Sequence, residues 1–299
     1  MKFNRAFEPN HGIAVPIGPG IQRLTAKNPS PFTFLGTNTY IVGERQVALI
    51  DPGPDDKDHL KAIVNALDGR KLTHIFVTHT HKDHSPLARR LQEETGALVL
   101  AEGPHRLSRP LSNGEINEFS ESSDLDFRPD VVLRHDDVIT GDGWALRTVL
   151  TPGHAANHAA FAIEDQGILF CGDHVMAWST TVVAPPDGSM KDYMASLNRL
   201  ILRNDHLLLP GHGGVIEQPR TFMRALKAHR QMREKAIFQR LQAGDRFIAD
   251  IVAALYADVD PHLHPAAAFS VLAHLESLVQ DRLVYCEGPL SLQAKFQPV

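Results

Sequence analysis

Seven consecutive residues, Thr78-His79-Thr80-His81-Lys82-Asp83-His84, constrain this chain more than any other feature. They place four groups able to ligate a metal (His79, His81, Asp83 and His84) within six positions, directly after the apolar run Ile75-Phe76-Val77. If that run is a buried strand, the four sit in the loop leaving its C-terminal end. Two can then bind one ion while the other two turn toward a second. Imidazole with carboxylate is a ligand set that borderline cations such as zinc accept. The bland alternative is a His-rich polar surface loop.

Three further segments share this grammar, an apolar run ending in a Gly-flanked His or Asp: Leu150-Thr151-Pro152-Gly153-His154, Leu169-Phe170-Cys171-Gly172-Asp173 and Leu208-Leu209-Pro210-Gly211-His212. A fifth, Val47 to Gly53, contains Asp51. Glycines beside ligands let the backbone turn sharply and approach a site closely. Five strand ends converging on one edge can carry seven ligands and one supporting carboxylate.

The order Asp, HxHxDH, His, Asp, His over residues 51 to 212 resembles the metallo-β-lactamase superfamily. The resemblance implies that His79, His81 and His154 bind a first metal, that Asp83, His84 and His212 bind a second, and that Asp173 bridges the two. It makes Asp51 the carboxylate that orients a ligating histidine. Two divalent ions are implied, zinc first, with manganese or iron as alternatives because affinity alone does not select the native metal. Such a pair lowers the pKa of a shared water toward about 7, and the resulting hydroxide attacks a carbonyl or phosphorus. Asp83 and Asp173 would hold and orient it, so no nucleophilic Ser or Cys is needed. His158 and His174, each near a ligand, are candidates for protonating the leaving group or for hydrogen-bonding the ligands.

Departures from related families narrow the chemistry. His81 stands where flavodiiron oxygen reductases have glutamate, which argues against redox chemistry. Only 38 residues separate Asp173 from His212, too few for the insert of the β-CASP nucleases. The commonest true β-lactamases use Cys where Asp173 stands, so antibiotic hydrolysis is disfavoured. Thiolester hydrolysis of the glyoxalase II type and lactone hydrolysis remain open.

The chain of 299 residues, 43% hydrophobic, can bury a sizeable core in two domains. The expected division is a catalytic domain over 1–218 and a smaller one over 219–299. No signal peptide or membrane-crossing run is visible. Cys171 and Cys286 cannot make a disulfide framework, so a reducing cytoplasm is the expected compartment. Strand patterns fall at Thr39–Val42, Val47–Ile50, His74–Thr78, Ala97–Ala101, Trp144–Leu150, Ala159–Ile163, Gly167–Cys171 and His206–Leu209. Helical patterns fall at Asp58–Leu67, Pro86–Glu94, Lys191–Leu202 and Thr221–Gln242. The alternation suits an α/β (α+β) fold, and the resemblance implies a four-layer αβ/βα sandwich with its site at one edge of two sheets. Residues 113–130, rich in acids and serines, read as a solvated loop that could also serve as a lid.

Residues 220 to 246 carry eight Lys or Arg against two acids, Glu234 and Asp245. Beyond them, two amphipathic helices and a strand-turn-strand signal resemble a winged-helix module, as in the lactamase-like group that includes endoribonucleases. A basic helix could contact the phosphates of single-stranded RNA. The helix that would read a major groove, 265–280, has no Lys or Arg and carries Glu276, so sequence-specific DNA recognition is not expected. The competing expectation is that the module packs on the core, shaping its entrance or a homodimer contact. The expected substrate is therefore RNA or a small ester, with thiolesters or lactones as alternatives. Trp178, Ser179 and Thr180, with Tyr193, are candidates for the substrate pocket because they follow Asp173 closely.

Overall fold

The computed structural model describes residues 2–258 and 260–299. Seven strands form the first sheet in sequential order: β1 (Val15–Gly18), β2 (Ile21–Thr25), β3 (Asn38–Val42), β4 (Gln46–Ile50), β5 (Lys71–Phe76), β6 (Leu98–Ala101) and β7 (Val131–Val132). The second contains β8 (Val138–Thr140), β9 (Ala145–Leu150), β10 (Ala159–Ile163), β11 (Ile168–Gly172) and β12 (Leu207–Pro210), in the order β12-β11-β10-β9-β8. Helices α1 (Lys57–Leu67) and α2 (Leu87–Thr95) cover the first sheet; α3 (Met190–Ile201) and the long α4 (Pro219–Gln242) cover the second.

Alternation along the strands builds the layers. In β4, Val47 and Leu49 pack toward α1 and α2, while Ala48 and Ile50 face the other sheet. In β11, Leu169 and Cys171 pack toward α3 and α4, while Ile168 and Phe170 face inward. Strands apolar on both faces require cover on both faces, and this produces the four-layer αβ/βα sandwich. The sheet polarity then places the site. β4 and β5 run parallel, β11 and β12 run parallel, and β9 reaches β11 through two antiparallel pairings with β10. The C-terminal ends of β9, β11 and β12 therefore share one edge, as do those of β4 and β5.

The expected strands and helices are present with ends shifted by up to three residues. A second body follows, with α5 (Ile248–Leu255), α6 (His264–Gln280) and the hairpin of β13 (Val284–Glu287) with β14 (Lys295–Pro298). Its core contains Ile251, Val271, Leu275 and Phe296 together with Ile237 and Leu241 from the second half of α4. Met223 and Leu226, from the first half of α4, belong to the sandwich core. α4 thus contributes to both cores. Among the described residues no helix is long and apolar enough to cross a membrane.

Candidate metal centre

Seven side chains from four chain segments meet at the shared edge. His79, His81, Asp83 and His84 leave β5, His154 follows β9, Asp173 follows β11 and His212 follows β12. Their ligand atoms form three overlapping groups: His79 with His81 and His154; His79 with His84 and Asp173; Asp83 with His84 and His212. His81 Nδ1 lies 3.0 Å from both His79 Nε2 and His154 Nε2. His212 Nε2 lies 3.3 Å from His84 Nε2 and 3.2 Å from carboxylate oxygens of both Asp83 and Asp173. The close packing needs Gly211: a Cβ there would stand 2.5 Å from Asp173 Oδ1 and 2.7 Å from His84 Cε1.

Hydrogen bonds behind the cluster fix which ring nitrogen points inward. His84 Nδ1 is 2.9 Å from Asp51 Oδ2, His154 Nδ1 is 2.6 Å from the Val182 carbonyl and His212 Nδ1 is 3.2 Å from the Gly36 carbonyl. With these nitrogens donating, each Nε2 keeps its lone pair for the cluster. Asp51 also reaches His79 indirectly. Thr78 Oγ1 donates to Asp51 Oδ2 and lies 3.0 Å from His79 Nδ1, while the Thr78 backbone N–H donates to Asp51 Oδ1. One buried carboxylate therefore orients a histidine in each outer ligand group.

The donor set fits cations. Lone pairs of His79, His81 and His154 converge on a common point, and one ring nitrogen cannot donate to two neighbours at once. Asp173 Oδ1 is buried with no hydrogen-bond partner, a cost that a cation removes. The charges point the same way. Burial holds His81 down to about 3, helped by neighbouring His154, and holds His79 well below the usual histidine range. Burial also opposes charge on His84 and His212, but the Asp83 and Asp173 carboxylates outweigh it. They hold His84 well above its ordinary value and raise His212 to about 9.

A pH dependence follows. In the metal-free protein the protonated His212, paired with Asp173 and Asp83, stabilises the fold fully below its ordinary value of 6.5. That contribution is lost as pH rises through about 9. A cation must displace this proton, so zinc affinity rises across the same window and binding near neutral pH releases protons. Calorimetric titration of zinc into stripped protein, in buffers of different ionisation enthalpy, measures that release. A pH-independent affinity without proton release contradicts the assignment of His84 and His212 as ligands.

A cavity of about 360 Å3 opens over the cluster, with His81, Asp83, His154 and Asp173 in its floor. Phe32, Phe119, Met176, Val182 and Ala184 supply apolar walls; Lys82 and Asp187 are its other charged residues. Two of these come from segments with no site signal in the sequence, Phe32 ahead of β3 and Asp187 in a Pro-Pro-Asp-Gly run that reads only as a turn; Phe119 lies in the acidic loop, for which a lid is the alternative expectation.

The expected pocket residues lie elsewhere. Trp178, Ser179, Thr180 and Tyr193 are not among the cavity walls. After Asp173 the chain runs inward, and Trp178 stacks on Phe34 at 4.9 Å. Tyr193 is fully buried and its hydroxyl donates to the His174 carbonyl. Met176, Val182 and Ala184, on either side of Trp178 to Thr180, reach the cavity instead. His158 and His174 are also buried away from it. His158 Nδ1 is 2.8 Å from Thr151 Oγ1, and its Nε2 accepts from the Asp173 backbone N–H. Burial holds His158 well below the usual histidine range and His174 down to about 3.

The acidic loop is not simply solvated. Lys82 and Asp124 backbone amides donate to Ser122 and Thr80 carbonyls, and Ser85 Oγ donates to Asp124. The loop is thus stitched to the ligand loop across the site. It is also tied to the second body: Arg109 forms ion pairs with Glu115 and with Glu276 of α6, and Phe119 packs on Phe269 of the same helix at 4.9 Å.

The basic stretch is largely engaged inside the fold. Arg230 is buried, donates to the Thr181 carbonyl and lies over the Tyr193 ring. Arg233 donates to Leu255 O and covers Tyr256, Arg240 pairs with Asp245, and Arg220 and Arg246 bind backbone carbonyls. Residues 271–278 of α6 are buried throughout.

Comparison with known proteins gives a consistent placement. Residues 32–212 match the metallo-beta-lactamase superfamily and residues 248–288 match the beta-lactamase associated winged helix domain. The chain is 32% identical to the beta-lactamase-like protein 2 homolog of Drosophila melanogaster, over 88% of this chain and 91% of that protein. It is 28% identical to the atrochrysone carboxyl ACP thioesterase dmxR1 of a Cryptosporiopsis species, over 76% of this chain and 64% of that one. Among solved structures, a metallo-beta-lactamase family protein from Thermus thermophilus superposes with a TM-score of 0.74 at 25% identity, covering 95% of this chain and all of that one (100%).

Proposed function

The chain belongs to the metallo-beta-lactamase superfamily, and as a hydrolase of that superfamily we propose that it cleaves a small thiolester or related ester, with two divalent ions, zinc first, in its centre. The observation that carries this reading is the cavity: about 360 Å3, mostly apolar on its walls and ending on the ligand cluster. That volume suits an acyl group of modest size. The thioesterase named among the relatives supports the same reading.

His79, His81 and His154 would hold one ion, Asp83, His84 and His212 the other, and Asp173 would touch both. When bound, the ions supply Lewis acidity and an acidified water. The chain's own groups do the rest. Phe32 and Phe119 exclude bulk water from the acyl group, and Asp83, in the cavity floor, accepts an O–H from the attacking water and so aims it. The leaving group favours a thiolester. Neither His158 nor His174 reaches the cavity to deliver a proton, and a thiol of ordinary pKa, about 8.5, departs as thiolate far more readily than an alkoxide.

RNA is the second reading, carried by Arg224, Lys227 and Lys235, which stay outside the internal contacts of α4. The buried face of α6 weighs against any groove-reading role, so sequence-specific DNA binding is not proposed. A parallel assay separates the substrates: thiolester, lactone and single-stranded RNA panels, with and without chelator, and RNA filter binding over a salt series. The expected result is chelator-sensitive thiolester turnover with RNA binding weak or independent of salt. RNA affinity that falls steeply with salt, and falls again when Arg224, Lys227 and Lys235 become Gln, would replace this reading with the nuclease one.

A further inference from the structure

Asp187 is 3% exposed, yet it lines the cavity over the ligand cluster and has no Lys or Arg partner among the described ion pairs. Its carboxylate is held from behind. Oδ1 accepts from Asn117 Nδ2 at 2.8 Å, Oδ2 accepts from Ser123 Oγ at 3.1 Å, and His105 Nε2 faces Oδ1 at 3.8 Å. His105 Nε2 is itself buried without a hydrogen-bond partner. A carboxylate offers about four acceptor sites, so these neighbours leave capacity unused in a wall that is mostly apolar. Leaving a buried anion short of donors is costly. A ligand donor entering the cavity is the group that can relieve it.

We infer that Asp187 is a specificity-determining residue, which accepts a hydrogen bond from a hydroxyl or ammonium group on the acyl part of the substrate. His105, Asn117 and Ser123 are positioning residues that fix the direction of the carboxylate. The inference rests on the acyl-hydrolase reading above and adds to it the polar group the acyl chain must carry. It also gives the acidic loop a purpose, since Asn117 and Ser123 are both loop residues.

The test uses metal-loaded, full-length protein and hexanoyl N-acetylcysteamine thiolesters, unsubstituted or carrying a hydroxyl or amino group at carbon 3, 4 or 5. Wild-type kcat/KM should favour at least one substituted ester over the plain one by about 10- to 100-fold, the range of a charge-assisted hydrogen bond. Whether the preferred probe carries hydroxyl or amine identifies the donor. Asp187→Asn should reduce that preference to within roughly threefold of unity, the ratio of substituted to plain ester being the quantity read. Asp187→Ser repeats the comparison if the amide does not fold. A parallel loss on all esters, or no wild-type preference at any position, overturns the inference. If no thiolester is turned over, the thiolester reading fails separately. The free acids titrated calorimetrically into the same proteins then decide: discrimination by wild type that disappears in Asp187→Asn sustains the role of Asp187, and equal binding refutes it.

Discussion

Asp173→Ala should yield protein that retains little of either proposed ion and turns over its substrate about 1000-fold more slowly. Asp173 belongs to the ligand group containing His79 and His84, and its Oδ2 lies 3.2 Å from His212 Nε2 and 3.7 Å from His154 Nε2. Asp173 therefore stands beside residues of both outer groups. Loss of Lewis-acid stabilisation worth about 4 kcal/mol corresponds to that rate factor. Asp83→Ala removes a ligand from the group of His84 and His212 alone, so the second ion should go first. His79→Ala should empty the first position. Elemental analysis of tag-free protein reads the ions, two per chain expected in the wild type, and circular dichroism checks that the sandwich persists. Two ions retained by Asp173→Ala would rule out its bridging role.

Deleting residues 247–299 should leave the protein insoluble or lower its melting temperature by more than about 10 °C. The deletion strips α5, α6 and the hairpin from Ile237 and Leu241, which are fully buried, and each large apolar side chain so exposed costs about 1.5–3 kcal/mol. A gentler version isolates one contact. Glu276→Ala leaves Arg109 with Glu115 alone and should cost about 2 kcal/mol, below the usual penalty for breaking a buried pair because one partner remains. The same change frees the acidic loop near Phe119, so KM should rise more than kcat falls. Thermal melts and steady-state kinetics measure both. A tail that came away without loss of stability would mark it as an independent appendage.

Much of the site was readable because its chemistry is local. An apolar run followed by Gly and His announces a strand end with a ligand, and Asp51, His154, Asp173 and His212 were all found by that pattern. What escaped depends on partners distant in sequence. The acids of the 113–130 loop look solvated until Glu115 meets Arg109, Asp124 meets Ser85 and Asp130 accepts from the Val99 amide. The arginines of α4 look like a phosphate-binding face until Arg230 is seen beneath Thr181. Asp187 carries no local signal, since Pro-Pro-Asp-Gly predicts a turn whatever its carboxylate faces. Tyr193 misled because nearness to Asp173 in sequence says nothing about which side of the sheet it enters. β1 and β2 were hidden among Pro16, Gly18, Pro19 and Gly20, residues that suit an edge strand and a tight turn but spoil the alternation used to find strands.

The continuity of α4 has a consequence for how the molecule comes apart. Its first half is sealed into one core by Met223 and Leu226, its second into another by Ile237 and Leu241, and nothing interrupts the 24 residues of helix. Melting either core frays a helix the other core needs. The two bodies should therefore share a single cooperative transition, in which native-state hydrogen exchange finds the amides along α4 opening together and not in two populations.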